Sequence, residues 1–324
     1  MGAYRNGVTA DVDRRTATLR AADDADGLYG PDSEAWRLNR EAALLLAAGP
    51  RALLLQIAHP LVAEGVDQHS AFRSDPWGRL AATLRSYLTI VYGDRATARA
   101  EIDRLGRLHR TVVGPVRDPL AVATTVAERY AARDPALALW VHATLIDSTI
   151  VAYDAWIEPL SAVRRERFYA ETRPIGRAFG IPDELLPVSY DAFADYVAAM
   201  LGAQGPVHPT PTARALAFAI LHPPLSPLLP GALGQAAGRL PRSAVTWTMW
   251  PSVALLPIGV RDEFGFAWDR PRRLAAAWLT AGIRAWRPLV PTSWREMPQA
   301  RRADRRVSGA DRRVSGADRR ILGR

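Results

Sequence analysis

The chain of 324 residues contains no cysteine. That one absence excludes disulfides, thiolate-ligated or thioether-attached haem, cysteine-based zinc sites and thiol nucleophiles. Lysine is missing as well: all 42 basic residues are arginine, so neither a Schiff-base lysine nor a phosphate-loop lysine can operate. No G-x-G-x-x-G follows a strand-like run, and G-x-x-x-x-G-K-[ST], G-x-S-x-G and H-E-x-x-H are all absent. The Glu-x-x-His pairs of di-iron bundles do not occur either. The six histidines lie at least ten residues apart, so none forms a local two-histidine site. Segments with the two-residue alternation of strands are scarce. These absences predict an all-α protein, a single multi-helix domain with a globin-like helical core around a pocket. Its chemistry would rest on one histidine placed by helix packing.

What is present is an ordinary globular composition, 48% hydrophobic and 23% charged, long enough for a large buried core. The net charge of +9 invites a nucleic-acid reading, but the charge is unevenly spread. From Arg301 onward there are nine Arg and three Asp, so the tail carries +6 and the body only +3. No specific nucleic-acid partner is expected. The opening residues lack the apolar run of a secretory signal, which makes a cytoplasmic location the expectation.

Residues 1–32 read as a flexible lead-in, 33–300 as the helical domain and 301–324 as an arginine-rich tail. The tail repeats Ala-Asp-Arg-Arg-Val-Ser-Gly with a period of seven. Gly and Ser in each unit work against a helix, so disorder is expected there. Ser33 is a candidate cap for a first helix that Gly49-Pro50 would stop. His59-Pro60 breaks the apolar run that follows. Asp-Pro pairs at 75–76, 118–119 and 134–135 each supply an N-cap carboxylate followed by proline in the first turn. The last of these opens a long helix, hydrophobic on most faces, holding His142, Asp147 and Asp154. Two carboxylates in such a helix need partners, and arginines are the candidates. The run 244–260, interrupted by two prolines, reads as a core helix or a membrane-touching edge.

The candidate site lies between Asp75 and Pro115. On its first helix Arg79, Thr83, Tyr87 and Val91 recur every four residues, so a guanidinium and a hydroxyl share a face with core residues. On the second, predicted from Asp94 to Gly114-Pro115, Ile102, Leu105, His109 and Val112 follow a 3-4-3 spacing, with Leu108 beside them. His109 therefore falls within an apolar stripe, where a histidine is either a hydrogen-bonded core residue or a metal ligand.

Several phrases together resemble a known family. GPRALLLQIAHP (49–60), DPWGRLAATL (75–84), RLHRTVVG (107–114) and WVHATLIDS (140–148) are similar to the haem-dependent oxygenases that include the rubber oxygenases and the MpaB-type oxygenases. PDELLPVS and SWREMPQARRADRR extend the likeness over most of residues 34–306. The resemblance implies haem b, with His109 as the proximal iron ligand and Arg79 and Thr83 on the distal side. Arg79 would stabilise negative charge developing on oxygen or orient a propionate. The family's Arg-x-x-Lys-Thr motif is matched except that Ala82 occupies the lysine position, and Arg110-Thr111-Val112-Val113 departs from the usual continuation after the histidine. His142 matches a second recurring histidine and is assigned to the pocket. His59 is a further pocket candidate, although a histidine before proline is more often structural. The implied partners are dioxygen or peroxide and a hydrophobic small molecule, isoprenoid-like in character. Peripheral membrane contact is also allowed for. Two readings compete: a haem carrier or sensor without catalysis, and a cofactor-free helical protein of lipid or membrane surfaces.

Overall fold

The computed structural model describes residues 24–70, 75–125, 127–222 and 250–322. Its first helices are α1 (Glu34–Asn39), α2 (Ala42–Ala58), α3 (Pro60–His69), α4 (Pro76–Tyr92) and α5 (Arg95–Thr111). Then come α6 (Pro119–Thr124), α7 (Pro135–Trp156), α8 (Ala162–Ala178), α9 (Tyr190–Leu201) and α10 (Pro211–Leu221). The C-terminal part holds α11 (Ile258–Glu263), α12 (Arg270–Trp286), α13 (Thr292–Arg295) and α14 (Pro298–Leu322). Among the described residues the only sheet is one antiparallel pair, β1 (Val113–Pro115) with β2 (Arg129–Ala131), in register Gly114 to Tyr130. The protein is all-α, as its composition and periodicity indicate.

The predicted caps form. Asp75 accepts from Gly78 N at 2.9 Å, Asp94 from Thr97 N at 2.7 Å and Asp134 from Ala136 N at 2.8 Å. Each satisfies a backbone donor that the first helical turn would otherwise leave unpaired. The centre is α7 packed along α2. Trp140, Ile146 and Ile150 of α7 are buried, as are Leu54, Leu55 and Ile57 of α2, and the Trp140 indole donates to the Leu55 carbonyl at 3.1 Å. Each such side chain contributes about 1.5–3 kcal/mol through its removal from water. α7 is long and apolar enough to span a bilayer, but most of it is enclosed by the rest of the fold. Its two carboxylates meet arginines, as their burial requires. Arg51 pairs with Asp147 at 2.7 Å, and Arg165 with Asp154 at 2.5 Å. In the apolar run 244–260 the described part is core at Trp250, Val253, Leu256 and Val260, while Ile258 is exposed. Residues 244–249 lie outside the described residues.

Three local expectations are corrected. Gly49-Pro50 does not stop a helix; α2 runs through it, with Pro50 inside. The break falls earlier, at Arg40-Glu41, where the Arg40 carbonyl accepts from Met297 N at 2.8 Å instead of continuing a helical ladder. Burial of α2 against α7 offsets the cost of an internal proline, about 3 kcal/mol. α5 ends at Thr111, not at Gly114-Pro115, because residues 113–115 pair with β2. Gly114 serves close approach: a Cβ there would lie 2.5 Å from the Tyr130 hydroxyl.

The third correction is the tail. It is helical as far as Leu322, and its first turns are docked. Ala300, Ala303 and Val307 are buried with Trp36, Leu88, Val91 and Tyr92. Asp304 pairs with Arg40 at 2.5 Å and accepts from the Trp36 indole at 3.0 Å. Arg306 donates to the Tyr92 carbonyl at 2.9 Å. These tertiary contacts overcome the weak helix propensity of Gly and Ser.

Candidate functional site

Four helices that carry or flank the candidate residues touch one another in turn, forming a circuit. α4 and α5, joined by Gly93-Asp94, pack side by side. α5 meets α8 through Ile102 and Ile175, and the His109 ring lies 6.4 Å from Phe179, the residue that caps α8. α8 meets α7 where Gly176 lies against His142; a Cβ on Gly176 would sit 3.3 Å from His142 Nε2. The circuit closes at Tyr87 of α4, whose hydroxyl bonds Asn39 Oδ1 at 2.7 Å and also reaches the Thr149 hydroxyl on α7. Tyr87 and His142 are surrounded by protein, and burial shifts both their pKa values, yet both keep partial solvent-accessible surface.

His109 is half-buried. Its pKa is lowered first by burial and then by the nearby Arg79 guanidinium, and both favour the neutral imidazole. Arg79 is also half-buried; its Nε donates to the Ser70 hydroxyl at 3.0 Å. Burial and the charge of Arg104 lower the Arg79 pKa, but a guanidinium remains cationic at any ordinary pH. One turn on, the Thr83 hydroxyl donates to the Arg79 carbonyl at 3.0 Å. Its oxygen keeps a lone pair for a further bond.

His142 contributes differently. Its pKa is lowered to about 4 by burial, only partly opposed by a hydrogen bond to the Thr172 backbone. Nδ1 is the nitrogen engaged there, and Nε2 is shut off from solvent with no partner. A buried, unpaired acceptor is costly, at about 1–3 kcal/mol, unless something meets it. Arg79, Thr83, His109 and His142 thus belong to one circuit. His59 has another neighbourhood, the α2–α3 junction, with His208 and Asp134 as its electrostatic neighbours. Burial, followed by the charge of His208, lowers its pKa to about 4, and Nδ1 has no partner.

The arginine cation and neutral imidazole form a donor set suited to haem, which needs a single protein nitrogen for its iron and cationic or hydroxylic groups nearby. Among the described residues no cluster of three His, Asp or Glu side chains could hold a bare metal ion. Sequence periodicity missed Ser70, Phe179 and the α8 face. The available signal was the 3-1-3 spacing of Thr172, Ile175, Gly176 and Phe179, obscured because α8 reads first as an arginine-rich amphipathic helix. Leu108, placed beside the apolar stripe by sequence, is 43% exposed and lies outside it.

Comparison with curated proteins and with solved structures returned no match. A family model described as ER-bound oxygenase mpaB/B'/Rubber oxygenase, catalytic domain, matches residues 36–285, which is more than half of the chain and includes all four circuit helices. The chain therefore belongs to the family of mpaB-type and rubber oxygenases.

Proposed function

We propose that the protein is a haem b-dependent oxygenase acting on a hydrophobic organic substrate, with His109 as the protein ligand to the iron. The observation carrying this reading is the half-buried His109 ring near the Arg79 guanidinium, on neighbouring helices of a chain that belongs to an oxygenase family. Haem iron, when bound, supplies the redox chemistry with dioxygen or peroxide.

His109 offers a ring-nitrogen lone pair because burial and the Arg79 charge both disfavour its protonation. Arg79 cannot itself ligate iron, since its guanidinium has no free lone pair. It can anchor a propionate or stabilise negative charge developing on oxygen, and its bond to Ser70 limits its rotation. Thr83 adds a hydroxyl on the same face. Leu105, Ile175 and Phe179 supply apolar wall, which favours an isoprenoid-like or other hydrocarbon-rich substrate over a charged one.

Expression with ample haem supply, followed by the pyridine haemochrome assay and oxygen uptake in the presence of isoprenoid alkenes, tests this reading. A Soret band, a haem b haemochrome and substrate-dependent oxygen consumption are expected. A colourless protein would overturn the haem assignment. A coloured protein consuming no oxygen with any alkene would make it a carrier or sensor.

A further inference from the structure

Among the described residues the most exposed apolar surface is on and beyond α12, far in sequence from the circuit. Trp278 is 76% exposed, Trp286 67%, Leu289 71% and Trp294 80%. α12 has no buried residue. It packs on α7 through the side bearing Ile283. The opposite side carries Leu274, Trp278, Ala281 and Ala285 at 4-3-4 spacing, all exposed, so they form one continuous ridge.

The charge beside this ridge has one sign. Residues 270–295 contain six arginines and no Asp or Glu. Three of them pair with carboxylates: Arg272 with Asp269, and Arg287 and Arg295 with the single carboxylate of Glu41. The other three are Arg270, Arg273 and Arg284, all exposed. Arg273 and Arg284 donate to the backbone carbonyls of Trp268 and Asp154, and among the described residues none of the three pairs with a carboxylate. At about 100° per residue they fall along one flank of the apolar ridge. An apolar row bearing tryptophan, edged by uncompensated arginine, suits the boundary between acyl chains and anionic headgroups. A second copy of the chain suits it poorly, because residues 270–295 carry no carboxylate to meet the arginines of their copy.

We propose that α12 and the segment reaching Trp294 form a docking face for an anionic lipid bilayer surface. Trp278 and Leu274 enter the headgroup–acyl boundary, while Arg270, Arg273 and Arg284 lie against lipid phosphates. The protein would rest on the bilayer without crossing it there.

Flotation of the full chain with phosphatidylcholine vesicles, with and without phosphatidylglycerol, tests the proposal. Binding is expected only with the anionic lipid, to weaken with salt, and to bring quenching of tryptophan fluorescence by brominated acyl chains. Each arginine at the surface is worth several-fold in affinity, so Arg270→Gln with Arg273→Gln should weaken binding by about tenfold or more. Trp278→Asp should abolish it, with circular dichroism and melting temperature unchanged because the side chain touches little of the fold. Equal binding to neutral and anionic vesicles, or no binding to either, would overturn the proposal. So would a dimer in light scattering that Trp278→Asp converts to monomer, since the face would then belong to a second copy.

Discussion

At the scale of single residues, two imidazoles are held furthest from protonation. His59 and His142 both have folded pKa values of about 4 against 6.5 for an unperturbed ring, with burial the leading cause. Between those values the unfolded chain takes up protons that the native chain refuses. Stability is therefore full above about pH 6.5 and falls as pH drops towards 4, by up to about 3 kcal/mol for each ring. Urea unfolding of the cofactor-free protein should give a lower free energy at pH 5 than at pH 7, and His59→Gln with His142→Gln should flatten that slope. Arg51 poses the opposite problem, a buried cation that meets Asp147 and Ser148 at 2.7 Å and the Leu255 carbonyl at 2.8 Å. Arg51→Ala leaves the partners unpaired and should cost about 3–5 kcal/mol in the same assay. Legibility at this scale was good for residues with a strong local or chemical demand. The need of Asp147 and Asp154 for arginine partners could be read from their place in an apolar helix, whereas which arginines answered it depended on packing.

At the scale of elements, starts were more legible than stops. Asp-Pro and Asp or Ser caps act within one turn of the chain, so their outcome depends on adjacent residues alone. The Gly49-Pro50 and Gly114-Pro115 stops failed because distant partners decide them: α7 holds α2 helical through its proline, and β2 pulls residues 113–115 out of a helix. The same reason underlies the tail. Its repeats have one branched apolar residue in seven and form no seam with each other, but Val307 and Ala303 find Leu88, Val91 and Tyr92. Truncation after Ala300 should therefore lower the melting temperature by several degrees, at about 2–4 °C for each kcal/mol lost in a domain of this size. Asp304→Ala, which removes the bonds to Arg40 and the Trp36 indole, should reproduce part of that fall. An unchanged melting temperature for both variants would mean that the docked turns contribute nothing.

At the scale of the whole molecule, the candidate site is a product of four helices that are not consecutive in their contacts. Arg79 and Thr83 share a face by helical periodicity, and His109 lies on the next helix, so this half of the site was visible in a single stretch of sequence. The other half was not. His142 reaches it only because Gly176, with no Cβ, lets α8 approach the ring, and Phe179 reaches His109 from the same helix. Those contacts separate residues by more than thirty positions, beyond any local pattern. They also leave two neutral imidazoles in one circuit, which makes the identity of the iron ligand the central claim. The most direct test compares haem content of His109→Ala and His142→Ala, each expressed with ample haem supply and measured by pyridine haemochrome, with circular dichroism to verify the fold. The account predicts loss of nearly all haem from His109→Ala with helicity intact, and a substantial haem fraction retained by His142→Ala. Haem retained by His109→Ala and lost from His142→Ala would contradict it.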